Sequence, residues 1–178
     1  MLFCSIFVFS FMLKPYKIMT QSMVAVIKPG DVVWTVKMLP WSHFDKTDIV
    51  AFQKEGNSAT FVKRIVAISG DTLHFLRNAI IIEDHKIPHD PIFEMMVEES
   101  TNDIDSYNYN SQTYSEYLLR NVSGFDSTSS YIINDGNALK VPDNYYFVVG
   151  DNHYESMDSR FWGFISKDDI KGKVFWVF

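Results

Sequence analysis

A lysine stands inside a strand-like apolar run, Thr60-Phe61-Val62-Lys63-Arg64-Ile65-Val66, and limits the ways this chain can fold. Side chains alternate along a strand, so Phe61, Lys63 and Ile65 share one face and an ammonium lies between large apolar groups. Such a lysine either snorkels outward or is stripped of water. Desolvation disfavours the charged form and lowers the pKa, which turns a lysine into a general base near neutral pH. A base of this kind needs a nucleophile. Ser22, in Thr20-Gln21-Ser22-Met23, is the candidate, and it follows an apolar N-terminal run. An alkoxide forms only with a base within about 3 Å, so the fold must bring these distant residues together. Taken singly, Ser22 also reads as a loop hydroxyl and Lys63 as a strand-edge lysine facing water. The pairing suggests a serine–lysine hydrolase at a membrane surface.

The rest of the chain is patterned for β structure. After the turn-forming Lys28-Pro29-Gly30, residues Asp31 to Val36 predict a strand, as do Asp48 to Phe52, Phe61 to Ile68, Tyr145 to Val149 and Lys173 to Phe178. Thr72 to Phe75 and Ala79 to Glu83 predict a hairpin across Leu76-Arg77-Asn78. No stretch holds a helical period, although Met95 to Glu99 and Ser115 to Arg120 each suit a turn or two. From about His85 to Asn137 the composition shifts to Ser, Asn, Asp and Tyr, which predicts an inserted lobe of residues 85–138. The core is then discontinuous, 14–84 and 139–178. A hydrophobic fraction of 47% and an aromatic fraction of 16% suit one well-packed β domain.

Charge and spacing exclude several classes. The formal net charge of −6 speaks against nucleic-acid binding, which wants a basic stripe. One cysteine, Cys4, forbids an intramolecular disulfide. His85 and His89 have Pro88 between them, which breaks the helix that would align them on a metal. The apolar leader, residues 1–13, is followed by Lys14-Pro15-Tyr16-Lys17. At about 12 apolar residues it falls short of the roughly 20 that span a bilayer, so a truncated transmembrane anchor, a cleaved secretory signal and a half-inserted segment compete, and the anchor is favoured. Cleavage as a secretory signal is disfavoured, because no basic region precedes the run. Lys14 and Lys17 alone would favour a cytoplasmic body, a tendency that runs against the reading below.

The densest polar cluster is Gly150-Asp151-Asn152 with Ser156-Met157-Asp158-Ser159-Arg160, set beside Phe161-Trp162-Gly163-Phe164. Asp158 and Arg160 can pair with each other or with Arg64. A solvated or purely structural turn explains the cluster equally well on its own. Together with Ile18 to Met23, Gly30 to Val33, Asp48 to Phe52 and Phe61 to Val66 with Gly70-Asp71, it resembles the bacterial type I signal peptidase family. The likeness spans most of 14–84 and 139–178 and is strongest in Val141-Pro142, Tyr146 to Asn152 and Ser156 to Phe164.

The resemblance implies an all-β fold of mostly antiparallel, coiled sheets with an inserted smaller lobe and an N-terminal anchor. It implies a membrane-bound serine endopeptidase that removes signal peptides after Ala-x-Ala-type junctions. In that scheme Ser22 attacks and Lys63 is the base. Thr20 and the Ser22 N–H form the oxyanion hole, Ser156 orients the lysine, and Asp158, Arg160 and Arg64 support the loop. Apart from the resemblance, the sequence offers Arg64 as a neighbouring cation able to help burial lower the Lys63 pKa. No cofactor and no metal are implied. The expected partners are preprotein signal peptides and the lipid bilayer, and the enzyme is expected to be a monomer. The expected location is the outer face of the bacterial cytoplasmic membrane, held by a single pass. Three places depart from the pattern. Met19 and Gln21 stand beside Thr20 where a proline is usual, Val24-Ala25-Val26-Ile27 replaces x-Pro-Thr-Leu, and His153 replaces an arginine. The lost prolines predict a looser nucleophile loop. An inactive membrane-tethered homologue that binds exported peptides is the alternative. A self-cleaving repressor-type protease would instead need an N-terminal DNA-binding domain.

Overall fold

The computed structural model describes residues 12–37, 43–54, 58–76, 79–82, 85–88, 132–133 and 138–178. Among the described residues twelve strands form two sheets, and every pairing is antiparallel. The first sheet holds β1 (Leu13–Lys17), β2 (Val32–Val36), β3 (Ile49–Phe52), β4 (Phe61–Ala67), β10 (Tyr145–Val149), β11 (Ile165–Ser166) and β12 (Ile170–Val177). Its order is β1-β2-β12-β3-β4-β10-β11. The second holds β5 (Thr72–Leu76), β6 (Ala79–Ile82), β7 (His85–Pro88), β8 (Ile132–Ile133) and β9 (Ala138–Lys140), in the order β7-β6-β5-β9-β8.

The turns between strands follow from their residues. Asp31 accepts from the Lys28 amide at 2.8 Å ahead of β2, and Asp71 does the same for Ile68 at 2.8 Å ahead of β5. An aspartate that bonds its own turn ends one element and sets the direction of the next. The central strands β3 and β4 are buried on both faces, so they read as nearly continuous apolar runs. Val50, Phe52 and Ile65 pack with Phe44, Tyr146 and Val148 on one side. Ala51 and Val62 pack with Ile18, Met23, Ile27 and Val33 on the other. Lys63 lies opposite Val50 in the β3–β4 register, on the face that also carries Phe61 and Ile65. The alternation read from the sequence therefore holds. Register shifts at Phe147/Val148, Val174/Trp176 and Ile170/Gly172 bend β10 and β12.

Several boundaries differ from expectation. Residues 13–17, for which no strand was expected, form the edge strand β1 against β2 with Pro15 inside it. Proline is tolerated at an edge, where its missing N–H has no ladder to serve. The closing strand starts at Ile170, after a capped 3-10 turn at Lys167–Asp169. The expected lobe boundary at residue 85 falls inside the second sheet, which joins β5 and β6 to β7 and β8. The turns expected at Met95 to Glu99 and Ser115 to Arg120 lie outside the described residues, as does most of the 85–138 lobe. So does the expected anchor, except for its last two residues. Among the described residues no helix is long and apolar enough to cross a membrane.

Candidate active site

Ser22 lies in a chain of tight turns between β1 and β2. The Gln21 carbonyl accepts from Val24 N–H at 3.1 Å, and the Met23 carbonyl accepts from Val26 and Ile27 N–H at 2.9 and 2.7 Å. Met23 and Ile27 are buried and Val26 is exposed, so the apolar stretch after Ser22 pins the loop to the core. The departure from the proline pattern is thus offset by burial, not by backbone stiffness. Ser22 itself is 4% exposed.

Lys63, only 3% exposed, hydrogen-bonds Ser22 Oγ through its Nζ. Burial lowers the lysine pKa to about 8, with the Asp158 carboxylate pulling it back up, the Arg160 guanidinium pushing it down and Asp151 pulling it up. At neutral pH roughly one amine in ten is then uncharged, against about one in 2,500 for an ordinary lysine. The cation that helps is Arg160 and not Arg64. Arg64, next along β4, is turned to the other side and forms a two-pronged pair with Asp151 at 2.8 and 2.7 Å. It also donates to the Thr47 carbonyl at 2.8 Å.

Thr20 Oγ1 stands 3.3 Å from Ser22 Oγ. No described hydrogen bond engages the Ser22 backbone N–H. Ser156 is buried beside the pair, but its hydroxyl donates to Asp158 Oδ2 at 2.6 Å, and no described hydrogen bond joins it to Lys63. Asp158 is a fully buried junction. It accepts from the Gly150 amide at 2.9 Å, from Ser156, and from Arg160 Nε and Nη2 at 2.8 and 3.0 Å. It also caps the helical turn α1 (Ser159–Trp162) by accepting from the Arg160 amide. Arg160 Nη2 also donates to the carbonyls of His153 at 2.7 Å and Ser156 at 3.3 Å. A buried ion pair so fully bonded holds a loop in one shape.

Two residues given no role from the sequence complete the frame. Gly150 is where the Ser22 and Ser156 segments meet: a Cβ there would come within 2.5 Å of the Ser22 carbonyl oxygen and 2.2 Å of Ser156 Oγ. Asn152 bonds the Ser22 loop through both backbone and side chain. The Gly-Asp-Asn run was visible as a motif, but its contacts depend on a loop crossing that no local pattern encodes. His153 Nδ1 lies 2.9 Å from the Gly150 carbonyl, where the usual arginine is absent. Lys54 donates to the Trp162 carbonyl at 3.0 Å and so ties down the end of α1.

A family model described as signal peptidase, peptidase S26, matches residues 1–178. The chain belongs to this family. Signal peptidase I of Aquifex aeolicus is 30% identical over 201 residues, covering 97% of this chain and 78% of that protein. Signal peptidase I S of Bacillus subtilis strain 168 is 30% identical over 173 residues, covering 95% and 78%. A solved signal peptidase I from Enterococcus faecalis V583 aligns at 22% identity with a TM-score of 0.42, over 75% of this chain and 98% of that one.

Proposed function

We propose that this member of the S26 family is a serine endopeptidase that removes signal peptides at a membrane surface. Ser22 is its nucleophile and Lys63 its general base. The observation that carries the reading is the buried Lys63 amine, its pKa lowered, in hydrogen-bond contact with Ser22 Oγ. A neutral Lys63 takes the Ser22 proton as Oγ attacks the scissile carbonyl carbon. The oxyanion is received by the Ser22 N–H and the Thr20 hydroxyl. When the intermediate collapses, the C–N bond breaks and the Lys63 ammonium returns its proton to the leaving amine. Lys63 then activates water, which releases the acylated fragment from Ser22. Ser156 acts on Lys63 through Asp158, while Arg160 both holds Asp158 and opposes the Lys63 charge directly.

The substrate lies extended beside the segments before Ser22 and before Lys63, with small residues one and three positions before the cut. An apolar surface supports a membrane seat for the body of the enzyme. Trp176 lies opposite Trp34 in the β12–β2 register, and Phe175, Trp176 and Phe178 are more than half exposed. Aromatic rings of this kind suit the interface between lipid and water. The anchor in residues 1–13 and the orientation toward the outer face of the bacterial cytoplasmic membrane belong to the same proposal.

The test is cleavage of a preprotein with an Ala-x-Ala junction in lipid or detergent, by the wild type and by Ser22→Ala and Lys63→Ala. Cleavage at the junction by the wild type alone is expected. Binding without cleavage by all three would replace this reading with an inactive peptide-binding homologue.

A further inference from the structure

Asn152 grips both carbonyls that flank the candidate nucleophile. Its side-chain Nδ2 donates to the Gln21 carbonyl at 3.1 Å, and its backbone N–H donates to the Ser22 carbonyl at 3.0 Å. Asn152 directly precedes the 3-10 turn at His153–Glu155, yet its side chain does not cap that turn. The same Nδ2 has one other contact, Glu155 Oε2 at 3.4 Å.

The Gln21 carbonyl and the Ser22 N–H belong to one peptide unit. That unit is planar, and the described chain contains no cis peptide bond. In a trans peptide the C=O and N–H point in opposite directions. Whatever fixes the carbonyl therefore fixes the N–H on the far side. The Gln21 carbonyl has two acceptor positions, one filled by the Val24 N–H at 3.1 Å and the other by Asn152. The Ser22 N–H, by contrast, enters no described hydrogen bond, so it is left to meet an incoming oxygen.

We infer that Asn152 is a positioning residue for the oxyanion hole: by holding the Gln21 carbonyl, it aims the Ser22 N–H at the oxygen of the tetrahedral intermediate. This rests on the reading of Ser22 as nucleophile. Loss of a whole oxyanion donor lowers kcat by about 10²–10³-fold, and here the donor is retained but less well aimed, so a loss of about tenfold is expected. The effect belongs to the transition state, because the ground-state carbonyl does not yet need the donor.

The test compares Asn152→Ala and Asn152→Leu with the wild type; leucine keeps the shape of asparagine without its donor. The measurements are kcat and KM on an Ala-x-Ala substrate series across pH, affinity for a peptide boronate that forms a tetrahedral adduct, and affinity for the cleaved product peptide. The expected result is about tenfold lower kcat and boronate affinity in both variants. KM, product affinity and the pH midpoint of the rate should stay within about twofold of wild type. If alanine fails to fold, the leucine variant carries the comparison. Wild-type kcat and boronate affinity in a folded variant would overturn the assignment. So would equal losses of boronate and product affinity, which would mark a general loss of loop structure. Absence of cleavage by the wild type would count against the proposed function itself, not against the role of Asn152.

Discussion

An amine that is 3% exposed beside Val50, Phe61 and Ile65 has lost most of its hydration. The fold bears this cost at Lys63, and the cost depends on pH. The folded-state pKa is lowered to about 8, while an unfolded lysine titrates near 10.4. Below pH 8 both states bind the proton, so the cost of burying the charge is fully present. Between about pH 8 and 10.4 the unfolded chain binds more protons, so stability rises with pH across that window. The full difference is on the order of 3 kcal/mol. Lys63→Met should therefore stabilise the protein at pH 7 by about 1–3 kcal/mol while lowering kcat/KM by about a thousandfold or more. Denaturant titrations of both proteins at pH 7 and pH 9.5 check this. The gain should shrink at the higher pH, and a gain that is constant or absent would tell against a desolvated lysine.

Among the elements, the joint between the Ser22 loop and the 150–160 loop is packed tightly at Gly150. Gly150→Ala would drive a methyl to within 2.5 Å of the Ser22 carbonyl oxygen and onto Ser156 Oγ. One neighbour is backbone, so relief requires the two loops to part, at a cost of several kcal/mol. The expected outcome is loss of cleavage with a lowered melting temperature, read by calorimetry alongside activity. At this scale the sequence was informative wherever periodicity speaks. The face shared by Phe61, Lys63 and Ile65 followed from alternation, whereas spacing left Asp158 and Arg160 to pair with each other or with Arg64, and the fold selects the first. Alternation also places Arg64 on the opposite face from Lys63, so the help expected from Arg64 comes from Arg160 instead. The edge strand β1 has no local signature, because a proline and two lysines fit a strand only where it lies at an edge. The hydrogen bond from Ser156 to Asp158 and the grip of Asn152 arise from loops meeting in space, which no local pattern records.

On the scale of the molecule, one antiparallel sheet and its β1–β2 connection carry both the proposed dyad and an exposed aromatic strip. Ser22 leads toward β2 and Lys63 lies on β4, while Trp34 and Trp176 face each other across β2 and β12. If that strip rests on lipid, replacing Trp34 and Trp176 by serine should weaken binding to phosphatidylglycerol-containing vesicles by about tenfold. Cleavage of a soluble junction peptide should persist. Vesicle flotation reads the first quantity and a peptide assay the second; unchanged flotation would remove the strip from the membrane contact. The most direct measurement of the whole account is the rate at which an acylating serine probe labels Ser22 as a function of pH, in the wild type and in Lys63→Met. The prediction is a wild-type rate that rises with pH to a midpoint near 8, and labelling of the variant lowered by about a thousandfold. Equal labelling of the two proteins, or a wild-type rate with no midpoint near 8, would contradict Lys63 as the base that activates Ser22.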